Sequence, residues 1–152
     1  MNKKISNILI ENIAGPLALA IFFLLDRWFK QLALTKTSFN IIPDLFSFNF
    51  TPNYYVAFSL PLSGNWLTFF IGLVIIFLII YLLVNYKKVS PLEKISLLAI
   101  ILGAVSNFID RLKYGFVVDY LDLKLFTIFN LADVLITIGS LLLIYKLLKK
   151  ES

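Results

Sequence analysis

The chain offers carboxylates, amides, lysines and hydroxyls for chemistry, and little else. It contains no cysteine and no histidine. That excludes disulfides, thiolate nucleophiles, Ser-His and Cys-His pairs, and zinc held by either residue. The aspartates are the informative residues. Asp26, Asp110 and Asp133 each fall near one end of an apolar run, and Asp119 and Asp122 lie between the last two runs. Their neighbours recur at helical spacing. Asn107, Asp110 and Arg111 stand at i, i+3 and i+4 and share a helix face, as do Asn130, Asp133 and Thr137, while Asp26 and Lys30 form an i, i+4 pair. Gly115 separates the polar end of the third run from Phe116-Val117-Val118-Asp119, an extended-looking stretch that can return Asp119 toward the membrane surface. Two carboxylates held together cannot both ionise, so they share a proton. The ionised member takes a proton from water and the protonated member donates to a carbonyl oxygen, which hydrolyses an amide without a covalent intermediate. A carboxylate pair in a membrane suits proton or ion transport equally, so both classes stay open on spacing alone. The plain structural readings are an ion pair between Arg111 and an aspartate, and a helix-surface Asp26–Lys30 pair worth a few tenths of a kcal/mol.

The elements that must position these residues are built for lipid. Of the 152 residues 60% are hydrophobic and mean hydropathy is +0.90, against about 45–50% apolar residues in a soluble domain. The excess lies in long runs, which predicts an α-helical integral membrane protein of one domain, with spans at about 13–34, 66–84, 92–111 and 129–148. The net charge of +5 comes from lysines placed beside these runs, where they set topology; no nucleic-acid-reading pattern accompanies them. Lys3 and Lys4, then Lys87, Lys88 and Lys94, then Lys146, Lys149 and Lys150 fall on one side of a four-span arrangement. By the positive-inside rule that side is cytoplasmic, with both termini, and the aspartates gather at the opposite face. Ala18-Leu19-Ala20 resembles a signal-peptide cleavage site, but Ile21–Leu25 continues the apolar run, so the first span is expected to stay. Between the first two spans, Phe46-Ser47-Phe48-Asn49-Phe50-Thr51 alternates with period two between the turn signals Pro43-Asp44 and Pro52-Asn53. That segment, about 38–60, is expected to form a small sheet at the membrane surface, rich in aromatic residues such as Phe39, Tyr54, Tyr55 and Phe58.

Motifs sharpen this. Asp26-Arg27-Trp28-Phe29-Lys30 fits D-x-x-x-K at the end of the first span, and Asn53 to Phe58 approximates N-x-G-A-x-F. Asn107-Phe108-Ile109-Asp110-Arg111, Gly115 and Val117-Val118-Asp119-Tyr120 together fit N-x-x-D-R-x-x-x-G-x-V-x-D-[FY], and Phe129-Asn130-Leu131-Ala132-Asp133 fits F-N-x-A-D. With these segments, in order along nearly the whole chain, the sequence resembles the bacterial lipoprotein signal peptidase (signal peptidase II) family. The resemblance implies four transmembrane helices with a small extracytoplasmic β-cradle, in the bacterial cell (inner) membrane. It implies an aspartic endopeptidase whose dyad is Asp119 and Asp133, acting on a diacylglyceryl-modified prolipoprotein at the level of membrane lipid, just before the modified cysteine. Asn53, Asn107, Arg111 and Asn130 would be polar supports around the scissile peptide; Asp26 would hold the site from the first span, with Lys30, Asp110 and Gly115 in the same motifs. A monomer is expected, with no cofactor, metal or nucleic acid. The rivals are a small proton-coupled transporter and an inactive homologue that binds lipoproteins without cutting. The chain departs from the family pattern at Arg27, where glutamine is usual, and at Tyr55 and Val56, where glycine and alanine are usual. The aromatic strand through Phe48 and Phe50 is expected to cover the substrate and exclude water.

Overall fold

A computed structural model describes residues 13–55, 64–124 and 126–150. Along them run α1 (Gly15–Leu34), β1 (Phe39–Ile42), β2 (Phe46–Asn53), α2 (Asn65–Asn85), α3 (Pro91–Tyr114), β3 (Val117–Leu123), β4 (Thr127–Phe129) and α4 (Leu131–Lys150). Lys3, Lys4, Val56, Phe58 and the end of the segment expected to form the surface sheet lie outside the described residues.

Local chemistry sets the helix ends. Proline stands in the first turn of α1 and of α3, where a missing N–H costs nothing. Ser90 and Glu93 form a reciprocal capping box on α3, so α3 begins before the apolar run does. It stops at Gly115, whose φ of 79° is left-handed and whose N–H bonds the Arg111 carbonyl at 3.0 Å. α2, α3 and α4 are long and apolar enough to cross a membrane. α1 has 20 residues but carries Asp26, Arg27 and Lys30 near its end. Most of the large side chains on α2, including Phe69, Phe77, Ile80 and Leu83, are exposed, a surface that suits lipid tails. α3 and α4 lie closest. A Cβ on Gly103 would stand 2.5 Å from the Ala132 carbonyl, and one on Gly139 would stand 2.7 Å from the Ser96 carbonyl.

The four strands make one antiparallel sheet in the order β1-β2-β3-β4. Two hairpins from different inter-helix segments therefore join at one end of the helices. α2 runs back from that end: Gly72 meets Phe108, while Leu78 and Leu82 pack near Val89, Leu97 and Ile101. Pro52 was expected to end the strand, but it lies within β2 and pairs with Val118. β1 pairs only with Phe46, Ser47 and Phe48, so among the described residues no strand on the β1 side of β2 asks Pro52 for an N–H. A register shift between Phe48 and Thr51 re-aims the strand there.

The aromatic strand is also more buried than expected. Phe48 is 1% exposed. It stacks on Phe39 at 5.0 Å and packs on Tyr120 at 5.4 Å, while Phe29 of α1 stacks on Tyr120 at 5.6 Å. Phe48 and Tyr120, with Ala33, Val118 and the packed Phe29, form the core that pins the sheet to α1. Phe48 is thus a core residue and not a cover over substrate. Phe50 is half-buried against Phe116.

Candidate active site

The site is built around the first turn of α4. A helix start leaves its leading N–H groups without intrahelical acceptors, and here β3, α1 and the cap residue Asn130 supply them. The Leu131 N–H donates to the Tyr120 hydroxyl of β3 at 3.2 Å, and the Ala132 N–H to Asp26 Oδ1 of α1 at 3.2 Å. The Asp133 N–H donates to Asn130 Oδ1 at 2.9 Å, and the Asn130 N–H returns a bond to Asp133 Oδ2 at 3.2 Å. That reciprocal Asn-x-x-Asp cap fixes the Asp133 carboxylate.

Asn130 reaches further. Its Oδ1 is committed to the Asp133 N–H, so its Nδ2 faces β3 and donates to Asp119 Oδ1 at 2.6 Å. One asparagine thereby joins the two carboxylates. Each has one more amide partner: Asn53 Nδ2 of β2 bonds Asp119 Oδ2 at 2.9 Å, and Asn107 Nδ2 of α3 bonds Asp133 Oδ1 at 2.8 Å. The Asn107 amide is oriented from behind, because Lys30 Nζ donates to its Oδ1 at 2.8 Å.

Lys30 belongs to a buried charge cluster between α1 and α3. Its ammonium lies 3.1 Å from Asp26 Oδ2 and 2.7 Å from Asp110 Oδ2, and all three side chains are inaccessible. Arg27 Nη1 bonds Asp110 Oδ1 at 2.5 Å and the Ser106 carbonyl at 3.1 Å. Ser106 Oγ donates to Asp26 Oδ2 at 2.5 Å, Tyr120 Oη donates to Asp26 Oδ1 at 2.9 Å, and the Val118 N–H donates to Asp110 Oδ2 at 3.2 Å. Among the described residues no buried side-chain nitrogen or oxygen lacks a partner, as a polar network in a low-dielectric interior requires.

Burial sets the electrostatics at the sheet. Asp119 is 2% exposed. Desolvation first, and the charge of Asp133 second, push its carboxyl up to about 7 against the opposing hydrogen bonds of Asn53 and Asn130. Burial, helped by the charge of Asp26, also pushes the Tyr120 phenol up, so it stays a donor to Asp26.

The structure thus brings together Asp119, Asp133, Asn53, Asn107 and Asn130, with Asp26, Lys30 and Asp110 behind them. Two expectations change. Asp26–Lys30 is a buried pair rather than a surface one, because α3 and β3 close over it with Ser106, Asp110 and Tyr120. Arg111 makes no ion pair within 4 Å among the described residues; its Nη2 instead donates to the Tyr55 carbonyl at 3.0 Å. The cations on Asp110 are Lys30 and Arg27. Gly115 supplies the turn between α3 and β3 and stands apart from the polar cluster. Sequence reasoning did not single out Ser106, Tyr120 or Arg27 for the site. The available signal was their adjacency to Asn107, Asp119 and Asp26, with Ser106 also at i, i−4 from Asp110.

The family described as signal peptidase (SPase) II matches residues 18–149 of this chain. The lipoprotein signal peptidase of Streptococcus thermophilus is 37% identical over 152 residues, covering 94% of this chain and 97% of that protein. The lipoprotein signal peptidase of Halothermothrix orenii is 39% identical over 137 residues, covering 86% and 92%. A bacterial membrane enzyme solved by the in meso method at 2.3 Å resolution superposes with a TM-score of 0.78 at 30% identity, covering 93% of this chain and 92% of that one. Matched in this way along most of its length, the chain belongs to the signal peptidase II family of bacterial membrane peptidases.

Proposed function

We propose that this chain is an aspartic endopeptidase that removes signal peptides from diacylglyceryl-modified prolipoproteins, cutting just before the lipidated cysteine, with Asp119 and Asp133 as its catalytic pair. One observation carries the reading: Asn130 hydrogen-bonds both carboxylates, and each has its own second amide donor. The pair shares one proton, and Asp119 holds it, burial and the charge of Asp133 having raised its carboxyl. It donates that proton to the scissile carbonyl oxygen as Asp133 takes one from the attacking water. α1 is the fourth span, its charges being covered by α3 and β3. The termini lie in the cytoplasm, and the sheet and the dyad lie near the extracytoplasmic face of the cell membrane, where a lipid-anchored substrate arrives. The enzyme works as a monomer, one copy of the chain being enough to give both carboxylates their amide donors.

The test is cleavage of a diacylglyceryl-modified prolipoprotein by purified protein in detergent, beside Asp119→Asn and Asp133→Asn. The parent is expected to cut before the modified cysteine, and each folded variant to lose about 10²–10⁴-fold or more in rate. A folded parent that does not cut, or an asparagine variant that cuts like the parent, overturns the reading.

A further inference from the structure

The cluster behind the dyad holds two aspartates, Asp26 and Asp110, and one fully buried lysine. Both carboxylates are 0% exposed, so solvent does little to balance them. Lys30 is drawn three ways. It touches Asp26 at 3.1 Å and Asp110 at 2.7 Å, and it must also reach Asn107 Oδ1 at 2.8 Å to turn that amide's N–H toward Asp133. One cation against two carboxylates would leave a net negative charge next to the dyad. The second cation is Arg27, also on α1, whose side chain is 18% exposed and takes Asp110 Oδ1 at 2.5 Å and Ser106 at 3.1 and 3.3 Å.

We infer that Arg27 is a positioning residue: it neutralises Asp110, leaves Lys30 free to orient Asn107, and so holds the network behind the dyad at zero net charge. The inference rests on the Asp119–Asp133 reading and deepens it. The charged and titratable groups facing the dyad are Asp26 and Lys30 from α1, Asp110 and Arg111 from α3, and Tyr120 from β3; β2 contributes only the neutral Asn53. Within that set Arg27 and Asp110 adjust the charge by one unit in opposite senses.

The experiment is the pH profile of kcat/KM for lipidated prolipoprotein cleavage. Its upper limb reports loss of the proton that Asp119 holds. Arg27→Gln keeps a donor but leaves net −1, so the limb should move up by about 0.5–1 pH unit and kcat should fall more than KM rises. Arg27→Lys should keep the parent limb. Asp110→Asn leaves net +1 and should move the limb down. A network that merely braces the fold would lower rates in each variant without moving the limb in opposite directions. Superimposable limbs for parent, Arg27→Gln and Asp110→Asn overturn the inference, as do shifts of the same sign. If Arg27→Gln fails to fold, Asp110→Asn alone decides, and an unmoved or raised limb overturns it. A parent that does not cleave, or an active Asp119→Asn, instead overturns the catalytic assignment beneath it.

Discussion

Asn130 does at one position what is otherwise divided between a helix cap and a hydrogen-bond bridge. Because its oxygen is held by the α4 backbone, its amide hydrogens must face Asp119. Asn130→Ala should therefore remove a cap worth about 1 kcal/mol and lower cleavage far more than that loss of stability explains. Thermal unfolding and kcat measured together would separate the two. The position of Asp119 also fixes a pH dependence. A carboxyl held near 7 in the fold and near 3.8 when unfolded favours the folded state fully at pH below 3.8. That contribution is lost as pH rises through about 7. Activity should fall over the same range as the shared proton leaves. A rate still rising at pH 9 would contradict the shift. At this scale the motifs named Asn107, Asn130, Asp119 and Asp133, which the structure brings into one hydrogen-bonded group. The sequence was not legible where the same spacing serves two environments. An i, i+4 Asp-Lys pair looks identical on a surface and in a core, and only Ser106, Asp110 and Tyr120 from distant segments decide that Asp26–Lys30 is buried. Arg111 and Asp110 are neighbours on a helix, about 100° apart, so adjacency could not say which one turns inward.

Among the elements, α3 and α4 are the closely packed pair that positions Asp133. The space a Cβ would need at Gly103 is taken by the backbone carbonyl of Ala132, next to Asp133. Gly103→Ala should push the helices apart, destabilise by about 1–3 kcal/mol and cut activity. At Gly72 the nearest obstacle is the Phe108 ring at 3.2 Å, a side chain that can shift, so Gly72→Ala should cost less. Equal losses of thermal midpoint in the two variants would count against this. The apolar runs announced the helices, since lipid-facing stretches such as Trp66–Val84 allow little else. Their ends were harder to read. The capping box that starts α3 at Pro91 involves polar residues outside the apolar run, and Pro52 reads as a stop unless the short reach of β1 is known.

For the whole molecule, the joining of two hairpins into one sheet ties both inter-helix connections to the same end. In the proposed four-span arrangement that end is outside. The chain lacks cysteine, so single cysteines report cleanly. Asn40→Cys on β1 should react with a membrane-impermeant maleimide added to intact cells, and Lys88→Cys between α2 and α3 only after lysis. Labelling of both from one side would rule the arrangement out. The sequence could assign a common face to the aspartates through lysine placement. It could not reveal that the sheet closes on α1 through Phe29, Phe48 and Tyr120, because that contact joins segments far apart in the chain.

The same long-range closure constrains how the protein is made. Arg27 and its partner Asp110 are separated by 83 residues, and Asp26 and Tyr120 by 94. A ribosome completes α1 well before α3 and β3 exist. Until then the helix carries three charged side chains with nothing from α3 to meet them, and lipid receives such residues poorly. In the proposed four-span arrangement α1 therefore settles out of order: it waits at the membrane surface, or under the protection of the insertion machinery, until α3 emerges. In nascent chains cut short before Pro91, a single cysteine placed on α1 should react with a water-soluble maleimide, whereas in chains extended past Leu131 it should not.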